Sequence, residues 1–188
     1  MTTPTFSICV YCGSKPGNHS GFADVARAVG RWIGQHQGQL VYGGGHNGLM
    51  GILADSASDA GARVVGVIPH SMVEREWART HCDELIVVET MHQRKNLMIE
   101  RSDAMLALPG GVGTFDEFFE AWSWRQLGFH NKPVGLLNYQ GYYDALLSFL
   151  KQSTADGFLT DWQMDLVMVG HDHEVLLPQL MQAAQRPC

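Results

Sequence analysis

The feature that most constrains this chain is a regular alternation of short apolar runs with longer amphipathic stretches. The apolar runs are FSICVY, QLVYG, ARVVGVI, ELIVVE, AMLALP, KPVGLLN and LVMVG. Each is five to seven residues long and bounded by turn formers, the pattern of a strand buried on both faces. Between most of them lie stretches of helical length: FADVARAVGRWIGQHQ, GLMGILADSASDAG, MHQRKNLMIERS, FDEFFEAWSWRQL and YYDALLSFLKQ. Strands that alternate with helices predict a mostly parallel sheet covered on both faces through right-handed crossovers, a Rossmann-like three-layer α/β fold. With 188 residues, 45% of them hydrophobic, the chain suits a single domain spanning residues 1–188.

Such sheets bind ligands beyond the carboxyl ends of their strands, so the loops there carry the functional reading. In ALPGGVGTFDEFF a strand ends near Leu108, Gly110, Gly111 and Gly113 follow, and a helix begins. Thr114 is the expected N-cap, with Asp116 and Glu117 in the first turn. Glycines that let a ligand approach the backbone, together with the free N–H groups of a helix start, suit a phosphate. First-turn acids ordinarily complement the helix dipole, but beside an anion site a carboxylate weakens binding, which suggests a chemical role.

A second loop, VYGGGHNGLMG, also follows a strand and opens a helix. Gly43, Gly45 and Gly48 satisfy the G-x-G-x-x-G spacing of dinucleotide sites. The following strand, however, ends in Pro69 and His70 where an acidic ribose ligand belongs, which weighs against a nicotinamide cofactor. No Lys-Ser/Thr pair follows, so the loop is not a nucleoside-triphosphate P-loop. Two glycine loops on one sheet favour a phosphorylated nucleoside, with Gly44, Gly45 and the Ser14 hydroxyl of YCGS on the same edge. In MHQRKNLMIERS, Arg94 shares a helix face with Met91 and Met98, while Lys95 shares the next with Ile99. An inward Arg94 would reach the same pocket with a planar donor fork.

A net charge of −6 without basic clusters argues against a nucleic-acid surface. No apolar run approaches the roughly 20 residues that span a bilayer, and a soluble cytoplasmic protein is expected. Of the cysteines, Cys9, Cys12, Cys82 and Cys188, the first two have C-x-x-C spacing. They lie on a strand, where residues three apart face opposite ways, rather than at a helix start as a redox pair would. The HDHE stretch, His171 to Glu174, reads as a polar helix start rather than a metal site.

Taken together, PGGVGTFDE (Pro109 to Glu117) and MHQRKNLM (Met91 to Met98) resemble the paired signature of the Lonely Guy (LOG) family of cytokinin riboside 5'-monophosphate phosphoribohydrolases. The resemblance extends through CVYCGS, VYGGGHNGLMG, GVIPHSM and WRQLGFHNKPVGLLN, leaving about the last twenty residues without a distinctive match. It implies hydrolysis of the N-glycosidic bond of a nucleoside 5'-monophosphate to free base and ribose 5-phosphate, with no metal or redox cofactor. On the family pattern Arg94 and Glu117 are the catalytic pair. Lys95, Gly110, Gly111, Gly113, Thr114 and Asp116 match ligand-binding positions, and Glu76 and Ser123 correspond to further substrate contacts. The family often has Tyr at the position of Val112 and Leu-Glu at Phe115-Asp116. Members have also carried the label lysine decarboxylase, yet only four lysines exist here and none sits in an evident pyridoxal-phosphate site. The resemblance further implies at least a homodimer, which the aromatic helix FDEFFEAWSWRQLGF also suits, with Trp77 or Arg79 of a partner completing each pocket. The competing readings are a non-catalytic nucleotide sensor, a nicotinamide-dependent oxidoreductase, and a general nucleotide hydrolase acting on AMP.

Overall fold

The computed structural model describes residues 3–73 and 82–185. All seven expected strands form: β1 (Ser7–Tyr11), β2 (Gln39–Tyr42), β3 (Arg63–Pro69), β4 (Glu84–Val88), β5 (Ala104–Ala107), β6 (Val134–Leu137) and β7 (Val167–Gly170). They build one sheet in the order β4-β3-β2-β1-β5-β6-β7, and every pairing is parallel. The chain winds outward from β1 to β4, then crosses back to place β5 on the other side of β1. The strand order therefore reverses between β1 and β5, and the connections leaving these two strands diverge to open a crevice.

The helices are α1 (Ser20–Gln35), α2 (Gly48–Asp59), α3 (His70–Val73), α4 (Met91–Glu100), α5 (Val112–Gln126), α6 (Asp144–Ala155), α7 (Asp161–Asp165) and α8 (His173–Ala184). They cover both faces, as β1 shows residue by residue. Ile8, Val10 and Cys12 pack with α1, α2 and α8 through Val29, Leu53 and Leu180. Cys9 and Tyr11 pack with α4, α5 and α6 through Met98, Phe118 and Leu150. The two thiols thus lie on opposite faces, and neither Cys9 nor Cys12 is in a disulfide. Cys188 lies outside the described residues. Helices α1 and α2 pack closely because Gly30 has no side chain, since a Cβ there would collide with the Leu53 carbonyl.

Helix α5 begins earlier than its sequence suggests. Its N-cap is Gly111, not Thr114, because the Phe115 N–H closes the first turn on the Gly111 carbonyl at 3.1 Å. Thr114 is the third helical residue and buried, so Asp116 and Glu117 belong to the second turn. The short α7 was not apparent from hydrophobic periodicity, although the Thr160–Gln163 capping box that starts it has the S/T-x-x-Q spacing. At α8 the Asp172 side chain accepts from the Glu174 N–H at 2.9 Å, so HDHE is the polar helix start expected. Among the described residues no helix is long and apolar enough to cross a membrane.

Candidate active site

The loops leaving β1, β2 and β5 converge on a cleft of about 600 Å³ at the point where the strand order reverses. Close backbone approach joins them. The Gly13 N–H donates to the Pro109 carbonyl at 3.1 Å, and the Leu49 N–H donates to the Gly13 carbonyl at 3.0 Å. Gly48 sits at φ +60 with the Ser14–Lys15 backbone where its Cβ would be, so both its conformation and its surroundings demand glycine.

On one wall of the cleft lies the start of α5. Gly111 offers no side-chain cap, so the first-turn N–H groups are left for a ligand at the positive end of a 15-residue helix. The loop that precedes it is pinned through its carbonyls: Tyr143 donates to Leu108 at 2.7 Å and Tyr142 to Gly110 at 2.6 Å. A Cβ on Gly110 would strike the Thr114 hydroxyl, so glycine here lets that side chain fold back over the loop.

Deeper in the cleft, Arg94 reaches across from α4 to α5. The expected inward orientation is observed. Its Nε donates to the Val67 carbonyl at 3.0 Å and Nη2 to the Gly43 carbonyl at 3.1 Å, fixing the guanidinium plane from two strand ends. Its Nη1 lies 3.7 Å from Glu117 Oε1. Both side chains are buried, and both line the cleft. Burial raises the Glu117 carboxyl to about 7, against the opposing pull of Arg94, with Asp116 and Glu120 adding to the rise and Lys95 opposing it. At neutral pH this carboxyl exchanges readily between its two forms, which suits proton transfer.

Lys95, one residue on, serves a different cluster. Its ammonium meets Glu120 at 2.6 Å and both oxygens of Asp116 at 3.0 and 3.2 Å. Burial pulls this amine down, but the two carboxylates more than offset it and raise its pKa. Adjacent residues on α4 thus point to different carboxylates of α5: Arg94 to Glu117, Lys95 to Asp116 and Glu120.

The structure therefore brings Ser14, Gly45, Arg94, Gly110, Gly111, Gly113, Thr114 and Glu117 to one cleft. Lys95 and Asp116 are paired with each other and are not among the residues lining it. Gly44, at φ +71, packs against Ile68 and Leu85 instead. Ser123 is exposed on α5 and is not part of the lining. Glu76, Trp77 and Arg79 lie outside the described residues. Sequence reasoning missed Lys15 at the cleft mouth, and the apolar lining of Phe22, Met50, Ile68 and Met72. Lys15 directly follows the strand-end Gly-Ser, a signal that was available. The apolar residues are scattered through the chain and only the fold assembles them. The Cys12 thiol lines the cleft floor, where burial raises it and leaves it an inert thiol. Among the described residues no group of three or more His, Cys, Asp or Glu side chains is placed to hold a metal ion.

Four matches among known proteins and families bear on the chain. A family model described as "possible lysine decarboxylase" matches residues 50–180. The cytokinin riboside 5'-monophosphate phosphoribohydrolase of Rhodococcoides fascians is 48% identical over 169 residues, covering 89% of this chain and 85% of that protein. LOG2 of Arabidopsis thaliana, of the same description, is 43% identical over 175 residues, covering 93% of this chain and 80% of its own. Among solved structures, the Moco carrier protein of Chlamydomonas reinhardtii superposes with a TM-score of 0.71 at 24% identity, over 97% of this chain and 98% of that one. At that identity the likeness shows a shared fold.

The description "lysine decarboxylase" raises pyridoxal phosphate, and the residues present do not fit it. Of the four lysines only Lys15 borders the cleft. Lys95 is held by Asp116 and Glu120, and Lys132 donates to the Ile99 and Glu100 carbonyls at 2.6 and 3.1 Å. Lys151 lies exposed on α6 and is not among the lining residues. A Schiff-base lysine with an acidic partner for the pyridine nitrogen has no place here.

Proposed function

Since this chain belongs to the Lonely Guy family of cytokinin riboside 5'-monophosphate phosphoribohydrolases, we propose that it hydrolyses N6-modified adenosine 5'-monophosphates, and AMP itself, to free base and ribose 5-phosphate. The observation that carries the reading is the Arg94–Glu117 pair, buried together at 3.7 Å in the cleft that the start of α5 also lines. The 5'-phosphate lies against the N–H groups of Gly111 to Thr114, with Gly110 and the Thr114 hydroxyl beside it and Ser14, Gly45 and Lys15 at the mouth. That contact turns remote binding energy into orientation at the anomeric carbon. Breaking the bond from C1' to the base develops oxocarbenium character on the ribose, which the ionised Glu117 stabilises. Glu117 then takes a proton from the water whose oxygen bonds to C1', while the base leaves with the bonding electron pair and takes up a proton from solvent, to which Glu117 afterwards returns the one it holds. Arg94 offsets the charge of Glu117 and offers N–H donors to the departing base or the ribose. Lys95 and Asp116 serve from behind this pair.

The reading extends to a homodimer in the cytoplasm. A second copy is supported by the apolar residues left exposed on α5 and just beyond it, Phe119, Leu127 and Phe129, where a monomer gains nothing from them. Light scattering should give twice the 20.8 kDa of one chain; a value of one chain overturns the dimer. The function is tested by incubating the protein with AMP and with N6-isopentenyl-AMP and separating the products by chromatography. Free base and ribose 5-phosphate in equal amounts are expected, with the ratio between substrates reporting base preference. Binding without release would instead favour a sensor.

A further inference from the structure

We infer that Tyr142 is a positioning residue for the phosphate loop: by holding the Gly110 carbonyl, it fixes the orientation of the Gly110–Gly111 peptide on which recognition of the 5'-phosphate depends. This deepens the nucleotide reading above and rests on it.

The loop between β5 and α5 contains three successive carbonyls, each engaged by a donor from elsewhere in the fold. Leu108 accepts from the Tyr143 hydroxyl at 2.7 Å, Pro109 from the Gly13 N–H at 3.1 Å, and Gly110 from the Tyr142 hydroxyl at 2.6 Å. The first two donors belong to buried residues. The third does not: Tyr142 is 39% exposed and lines the cleft, its ring edge-on to Phe22 at 5.4 Å and to Tyr143 at 4.8 Å.

The peptide held by Tyr142 is also the one most able to turn over. Flipping a peptide plane changes ψ of one residue and φ of the next, and here both are glycines, which meet little steric resistance to either state. In a trans peptide the C=O and N–H point in opposite directions. Fixing the Gly110 oxygen on Tyr142 therefore aims the Gly111 N–H away from that ring, as part of the N–H array at the start of α5. In the flipped state a carbonyl oxygen would take the place of that N–H and repel an anion. The Tyr142 hydroxyl thus selects between an anion-accepting and an anion-repelling loop, and it does so from outside the core.

The test is Tyr142→Phe, which keeps the ring contacts with Phe22 and Tyr143 and removes only the donor. Calorimetry with ribose 5-phosphate and, separately, with adenosine isolates the phosphate contribution. The variant should bind ribose 5-phosphate about five- to tenfold more weakly and adenosine unchanged. With AMP, kcat/KM should fall by at least the same factor, because the phosphate contact also orients the anomeric carbon. Equal ribose 5-phosphate affinity in variant and wild type overturns the proposal, as does an equal loss for adenosine, which would mean a general collapse of the cleft. The two readings fail separately: wild-type protein that binds ribose 5-phosphate yet releases no base refutes the hydrolase, while the calorimetric comparison still decides the role of Tyr142.

Discussion

Replacing Lys95 with methionine removes the ammonium that ties α4 to α5 and leaves two carboxylates facing each other. The Lys95 and Glu120 side chains retain only 11% and 17% of their exposure at a separation of 2.6 Å. Removing one partner of a buried pair costs about 3–5 kcal/mol, because the other charge stays desolvated and unpaired. The residual solvent contact places this pair at about 3 kcal/mol. Asp116 is half-exposed, and its share is screened to about 1 kcal/mol or less. For a chain of this length each kcal/mol moves the melting temperature by about 2–4 °C, so Lys95→Met should lower it by about 6–12 °C in scanning calorimetry. Adding Glu120→Leu removes the stranded carboxylate, and the double variant should regain at least half of the loss. A Lys95→Met protein that melts within about 2 °C of wild type but binds nucleotide poorly would refute the reasoning and return Lys95 to direct substrate contact. A double variant no more stable than the single would refute the pairing with Glu120.

Three further outcomes follow from the geometry of Arg94 and Glu117. If the ionised carboxylate acts, kcat/KM should fall about tenfold per pH unit below the Glu117 pKa of about 7, and a flat profile between about pH 5.5 and 8 contradicts that. The same raised pKa destabilises the fold: between the ordinary value of 4.5 and about 7 the native state holds a proton that the unfolded chain has lost, so stability falls as pH rises through that window. Glu117→Gln should therefore be more stable than wild type by about 1–3 kcal/mol at pH 8 and gain far less at pH 4.5, by chemical denaturation; an equal difference at both pH values refutes the linkage. Gly43→Ala places a Cβ on the Arg94 Nη2 atom, the mobile end of a side chain, so the fold should hold while the guanidinium shifts. Turnover should drop by about 10²-fold, and normal turnover would show that Arg94 tolerates displacement.

The sheet and its main helices were legible because their signals are local: runs of Val, Ile and Leu buried on both faces, and amphipathic stretches between them. Helix starts were less so. Thr114 is a better cap than Gly111 by residue type, but Pro109 and the two glycines stop the strand early enough for the helix to begin at Val112. The same limit separates Arg94 from Lys95. They are neighbours in the sequence and read as one basic pair, yet a rotation of about 100° per residue sends them to different carboxylates. Which carboxylate each meets depends on how α4 and α5 face one another, which is why Glu120 was not singled out although it holds Lys95. The membership of Arg94 and Glu117 in one site was carried by the paired motifs, and the fold supplies its reason, the Val67 and Gly43 carbonyls that turn the guanidinium inward. The cleft methionines Met50, Met72 and Met91 lie within the motifs, but only Met91, on the Arg94 face, is marked by its spacing as facing the site.

If Glu117 performs chemistry on a nucleotide held by the start of α5, its charge governs turnover and not phosphate binding. The most direct test is the turnover of AMP or N6-isopentenyl-AMP by Glu117→Gln beside wild type, with ribose 5-phosphate affinity measured on both proteins. The variant should lose about 10²- to 10⁴-fold in kcat while binding ribose 5-phosphate within about threefold of wild type. Near-normal release of base by Glu117→Gln would contradict it.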